Sequence, residues 1–72
     1  MKNEVFLKKL GKKIVRLREE KQISQNEMAR RLGTYNNQIR RVELGLVSPT
    51  ITTLLSLCEE LDVKISDLVN IE

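Results

Sequence analysis

Apolar residues recur along this chain at helical rather than strand spacing. Phe6, Leu10, Ile14 and Leu17 follow one another at steps of four and three, which predicts one stripe of a helix over about residues 3–21. Lys8, Lys9, Lys12, Lys13 and Arg16 fall off that stripe, and a solvated face is the plain expectation for the four lysines. Gly11 stands mid-helix, where glycine costs up to about 1 kcal/mol, and so points to a second backbone packed close by. The next helix has the clearest start. Ser24-Gln25-Asn26-Glu27 reads as a capping box, with Ile23 and Met28 as its hydrophobic staple. Ala29 and Leu32 continue its buried face, and Gly33 ends it as a left-handed cap.

After Gly33-Thr34-Tyr35, a third helix is predicted to about Leu44, with Ile39 and Val42 inward and Gly45 closing it. Its start falls at Tyr35 or at Asn36. Pro49 interrupts the chain. Thr50 can then cap a fourth helix over residues 51–61, with Ile51, Leu54, Leu57, Cys58 and Leu61 as its expected buried stripe. Asp62-Val63-Lys64 turns into a last helix over residues 65–71, where Asp67 suits the first turn and Lys64 makes a weak cap that leaves the helix prone to fray.

Five helices around one core imply an all-α protein, read here as a single domain over residues 1–72. A domain of this size buries only about 60% of the surface its unfolded chain exposes, which leaves little room for a catalytic cavity. Cys58 is the only cysteine and histidine is absent, so neither a disulfide nor a thiolate zinc cluster is expected. Cys58 itself reads as a small core residue. With no histidine, no phosphate-binding glycine loop and no paired nucleophile and base, the chain does not read as an enzyme, and no cofactor or metal is expected. No stretch has the length and apolarity of a membrane span or a signal peptide, so a cytoplasmic location is expected.

Charge is unevenly placed. Residues 1–47 carry twelve of the thirteen basic residues and five acids, a net +7, whereas residues 48–72 set Lys64 against five acids, a net −4. Such polarity fits a polyanion on one side of the molecule, and fits ordinary solvated helix faces equally well.

Two short helices joined through a glycine-containing turn form a helix-turn-helix pattern. The segment from Ser24 to Gly45 resembles that of the lambda-repressor-like (Xre-type) family of bacterial and phage regulators. The resemblance rests on Gln25, Ala29, Leu32-Gly33, Ile39, Val42, and Glu43 before Gly45. It extends to Leu10-Gly11-Lys12-Lys13-Ile14 and Leu17-Arg18, and to Pro49, Leu54, Leu57, Leu61, Val63, Ile65 and Leu68. It implies a compact five-helix DNA-binding domain with the helix-turn-helix at helices 2 and 3.

If Ile39 and Val42 face inward, then Tyr35, Asn36, Asn37, Arg40 and Arg41 face outward. Asparagine pairs bidentately with adenine, and arginine with guanine, in the major groove. The resemblance implies base reading by Asn36, Asn37 and Arg41, with Tyr35 at the helix entrance touching a thymine methyl or a phosphate. Arg40 is expected on a phosphate. Gln25, with the backbone N–H groups of its helix N-terminus, can hold another phosphate, and in the family this glutamine often also steadies a base reader. The plainer reading of Asn36 and Asn37 is cap chemistry, and that of Arg30, Arg31, Arg40 and Arg41 is a solvated face. The resemblance also implies a partly buried Arg18–Glu43 pair that ties the first helix to the end of the third.

Leu44 and Leu46 stand where the family often places polar phosphate contacts. With Val47 they form an apolar loop tip that either weakens DNA affinity or meets a protein partner or a second subunit. One helix reads too few base pairs for specificity, so a homodimer on double-stranded DNA is expected, paired through the acidic C-terminal part at Leu55, Val69 and Ile71. The function these features imply is transcriptional regulation, most simply repression at a palindromic operator. The alternatives are an antitoxin or a protein-interaction module of the same fold.

Overall fold

A computed structural model describes residues 3–71. Its helices are α1 (Asn3–Glu20), α2 (Gln25–Leu32), α3 (Asn36–Glu43), α4 (Ile51–Leu61) and α5 (Ile65–Leu68), with no strand among the described residues. The all-α, five-helix expectation holds.

The four longer helices stop in the same way. A left-handed residue follows each, and two backbone N–H groups fold back onto the last carbonyls. After α2, Gly33 (φ 68°) donates to Arg30 O and Thr34 to Ala29 O. After α3, Gly45 (φ 73°) donates to Val42 O and Leu46 to Arg41 O. Gln22 (φ 59°) and Asp62 (φ 57°) fill the same place after α1 and α4 without being glycine.

The starts differ more. Ser24 Oγ accepts from Glu27 N at 3.0 Å and Thr50 Oγ1 accepts from Thr53 N at 3.1 Å, as the caps of α2 and α4. Only that half of the α2 capping box is seen. The Glu27 carboxylate is instead engaged by Arg30 (Nε 3.0 Å) and Arg31 (Nε 2.8 Å), and Arg31 reaches on to Glu60 of α4 at 3.4 Å. Of the two starts open for α3, Tyr35 is the cap position, although its side chain caps nothing, and Asn36 is the first helical residue.

Leu10, Ile14, Met28, Leu57, Leu61 and Leu68 are the largest fully buried side chains. Each contributes about 1.5–3 kcal/mol of transfer free energy. α3 packs on both α1 and α2, α4 packs on α2, and α5 closes against α4 and α1. Cys58 is buried as expected, and desolvation raises its thiol pKa.

Three expectations need correction. Ile51 is 63% exposed rather than buried. At 100° per residue it sits at the edge of the Leu57–Cys58–Leu61 face, while Leu54 of the same turn packs against the core. The last helix is a single turn, Ile65–Leu68, instead of reaching residue 71. Lys64 gives no side-chain cap, and so short a helix is held by the burial of Leu68 rather than by propensity. Finally, Lys13 is not merely solvated. Its Nζ donates to Asp67 O, and to Asn70 O at 3.0 Å, which satisfies carbonyls left open at the end of α5.

The α1–α3 junction sets where α3 lies. A Cβ built on Gly11 would stand 2.2 Å from Glu43 O and 2.8 Å from Val42 O, so the two backbones touch there. Seven residues along α1, Arg18 binds the Glu43 carboxylate in a fork, with Nε at 2.6 Å from Oε2 and Nη2 at 3.1 Å from Oε1. Its Nη1 donates to Ile23 O at 2.8 Å. Arg18 is 8% and Glu43 6% exposed, deeper than the partly buried pair expected from the sequence. No buried side-chain polar atom among the described residues lacks a partner.

Three measurements check this account. Gly11→Ala should lower stability by about 1–3 kcal/mol, because the clash is with backbone and cannot be relieved by a rotamer. A variant that melts at the parent's temperature would show that α1 and α3 are not in contact. Arg18→Ala should cost about 3–5 kcal/mol in denaturant unfolding by leaving Glu43 buried and unpaired. Unchanged stability would refute the pair. The third concerns acid. Hydrogen bonds from Arg30 first, and Arg31 second, lower the Glu27 pKa from 4.5 to about 2. A depressed carboxylate pKa gives stability that is fully present above about pH 4.5 and is lost as pH falls toward 2. Melting temperatures over that window should therefore fall less steeply for Glu27→Gln than for the parent, and parallel curves would contradict the assignment.

Candidate nucleic-acid interface

Two short helices, α2 and α3, pack through the small buried Ala29 and the inward residues Ile39 (3% exposed) and Val42 (9%). With those and Glu43 inward, the 100° step of α3 assigns the rest. Asn37 and Arg41 lie most directly opposite the buried face. Asn36 and Arg40 fall on the flank toward α2, and Gln38 falls on the flank toward α4. Each of these five residues is exposed. Tyr35, at the entrance, is 78% exposed. The polar edge expected from the sequence is thus free in the single chain, and it carries two arginines and no acid.

The side chains of that edge are not equally free. The Asn36 amide Nδ2 donates to Asn26 Oδ1 on the first turn of α2. No side-chain hydrogen bond is seen within the chain for Tyr35, Asn37, Arg40 or Arg41 among the described residues. Gln38 lines an open cleft with Thr34, Val47, Thr50 and Thr53 between α3 and the start of α4.

Gln25 is the first residue of α2, half-buried, and its Nε2 donates to Glu43 Oε1 at 2.7 Å. One of its N–H groups is therefore committed to the Arg18–Glu43 pair. The other N–H, the Oε1 and the backbone donors of the first turn of α2 remain. So the side chain expected on a phosphate is also a structural strut between the start of α2 and the end of α3. Arg18 and Glu43 are brought together as the resemblance implied.

Outside that edge, Arg30 is spoken for by Glu27, and Arg31 by Glu27 and Glu60. The loop tip keeps two exposed leucines, Leu44 (50%) and Leu46 (63%), whereas Val47 packs against the core. Of the residues expected to pair two copies, Leu55 is 49% exposed and Ile51 joins it one turn away on α4. Val69 and Ile71 are half-buried, and Ile71 packs on the core. The contact of Asn26 with Asn36 was missed at the sequence level. Its only sequence signal was a second amide two residues after the cap of α2.

No helix among the described residues is long and apolar enough to cross a membrane. Comparison with curated proteins gave no match. The profile of the helix-turn-helix family matches residues 14–68. The chain is also similar to a solved structure, the restriction-modification controller protein C.AhdI from Aeromonas hydrophila. The TM-score is 0.87 at 26% identity, over 94% of this chain and 99% of that one. The match in sequence runs from Ile14, in the second half of α1, through α2, α3 and α4 to Leu68 at the end of α5. The chain belongs to the lambda-repressor-like (Xre-type) helix-turn-helix family of DNA-binding transcriptional regulators.

Proposed function

We propose that this protein represses transcription by binding a palindromic operator as a homodimer, with α3 of each copy in the major groove. The observation that carries the reading is the free edge of α3. Asn37 and Arg41 are exposed there while Ile39 and Val42 anchor the helix from behind. Arg41 and Asn37 have the donor and acceptor sets to read guanine and adenine, Asn36 reads beside them, and Tyr35 meets a thymine methyl. Arg40 and Gln25, with the N-terminus of α2, grip the backbone and set the register.

The dimer follows from the number of reading helices. Each copy offers a single α3, and a palindromic operator presents two half-sites about 34 Å apart, each needing its own helix. Ile51 and Leu55 form an exposed apolar ridge on α4, in the acidic part of the chain that DNA would repel. That ridge is where two copies pair. The full-length likeness to a restriction-modification controller supports a place in the control of such a system.

The test is selection of bound sequences from a random duplex pool, followed by titration of the selected site. A two-fold symmetric consensus with half-sites one helical turn apart is expected. Arg41→Ala should relax preference at one position per half-site by about 1–3 kcal/mol. Arg40→Ala should weaken all sequences alike and lower the salt slope by about one. A pool with no consensus, or sedimentation showing one copy on the selected site, would overturn the reading.

A further inference from the structure

Asn26 lies on the first turn of α2 and Asn36 begins α3, ten residues later, yet their side-chain amides meet. Asn36 is the donor and Asn26 the acceptor. Both residues are exposed. Water competes for such a bond, so it adds little to stability. What it does is orient. An asparagine at a helix start swings freely about its last torsion, and either face of its amide can turn outward. Donation to Asn26 removes that freedom from Asn36.

We infer that Asn26 is a positioning residue that sets Asn36 to read adenine. The inference rests on the proposed placement of α3 in the major groove. The chemistry is a matter of counting donors. An asparagine amide has one oxygen and two N–H groups, and bidentate reading of adenine uses the oxygen together with the N–H on the same edge. The remaining N–H, trans to the oxygen, is the one whose use leaves that edge whole. Donating it to Asn26 Oδ1 keeps a donor and an acceptor side by side toward the base. Guanine presents two acceptors in the major groove and cytosine one donor, so neither matches that edge. Gln25, the neighbouring amide, is engaged elsewhere, with its Nε2 turned to Glu43. The two adjacent amides of α2 thus divide the work. Gln25 braces the end of α3, and Asn26 sets its beginning.

The test uses the full chain and the same random-duplex selection, followed by titration of the best site and its single-base variants. The parent is expected to select adenine at one position per half-site, with a preference of about tenfold or more over the other bases. Asn26→Ala, at an exposed helical position where alanine favours the helix, should fold as the parent does. It should lose most of that preference while keeping the rest of the consensus. Asn26→Asp keeps the acceptor and adds a negative charge. It should retain the adenine preference and weaken every site alike. In a double-mutant cycle, Asn26→Ala should have no further effect on that position once Asn36 is Ala.

Three outcomes would sink the inference. Asn26→Ala could keep the parent's preference at every position. Asn26→Asp could lose the preference as fully as Asn26→Ala, which would mean that the Asn26 N–H groups touch DNA themselves. The parent could select a consensus whose Asn36-dependent position is not adenine. A parent that selects no consensus at all fails earlier, at the placement of α3, and the two failures are therefore distinct.

Discussion

A guanidinium and a carboxylate held out of water at the junction of α1 and α3 govern the rest of this structure. Taking two such charges from water costs several kcal/mol per ion, and their attraction offsets this only when geometry and the remaining hydrogen bonds are good. Here they are good. The pair is bidentate, the third guanidinium arm reaches Ile23 O, and the second Glu43 oxygen also accepts from Gln25. Leucine and methionine in these places could give equal stability. They would fix the rotation of α3 less sharply, because apolar contacts carry less direction than a bidentate pair. The pair joins α1, the α1–α2 turn, the start of α2 and the end of α3 at one point. Gly11 lets the two helix backbones come close enough for this to happen.

That arrangement explains why an eight-residue helix can carry a set of exposed polar side chains without fraying. Isolated helices of that length are marginal in water. α3 is held by Ile39 and Val42 along its inner side and by Glu43 at its end. None of those contacts uses the edge that bears Asn37, Arg40 and Arg41. Stability and the exposed edge are thus assigned to opposite faces of one helix, and substitutions on the edge leave the fold's supports in place.

Much of this was legible in the sequence, and the reasons for the failures are specific. Period and caps identified α1 to α4 within a residue or so, because Ser24, Thr50, Gly33 and Gly45 are strong punctuation at helix ends. Gly11 was legible as a close approach because nothing else justifies glycine mid-helix. Ile51 was misplaced because spacing does not show where a buried stripe ends, and Ile51 stands exposed at its edge while Leu54 packs on the core. The length of α5 was overestimated because apolar residues continue past the point where Lys13 takes over the carbonyls. The capping box was read in full, but a carboxylate three and four residues from two arginines has better partners than one backbone N–H. Gln25 was read as a phosphate contact and Asn26 only as part of the capping segment. Which amide faces which partner depends on tertiary placement, and periodicity does not contain it.

The start of α3, like that of α5, gives up a capping hydrogen bond. α2 and α4 begin with Ser24 and Thr50, whose hydroxyls close the first turn. α3 begins with Tyr35, which supplies no side-chain cap, and a missing cap typically costs about 1 kcal/mol. A serine at Tyr35 would recover it. It would also place a side-chain oxygen over the first N–H groups of α3 and occupy the positive end of its dipole. With tyrosine there, those donors and that end stay open to solvent beside Asn36 and Asn37. An uncapped start by itself marks no function, since α5 also begins without a side-chain cap at Lys64. At α3 it leaves open N–H groups on the helix whose last turn carries Arg40 and Arg41, and both agree in sign with the +7 charge of residues 1–47 for a polyanion.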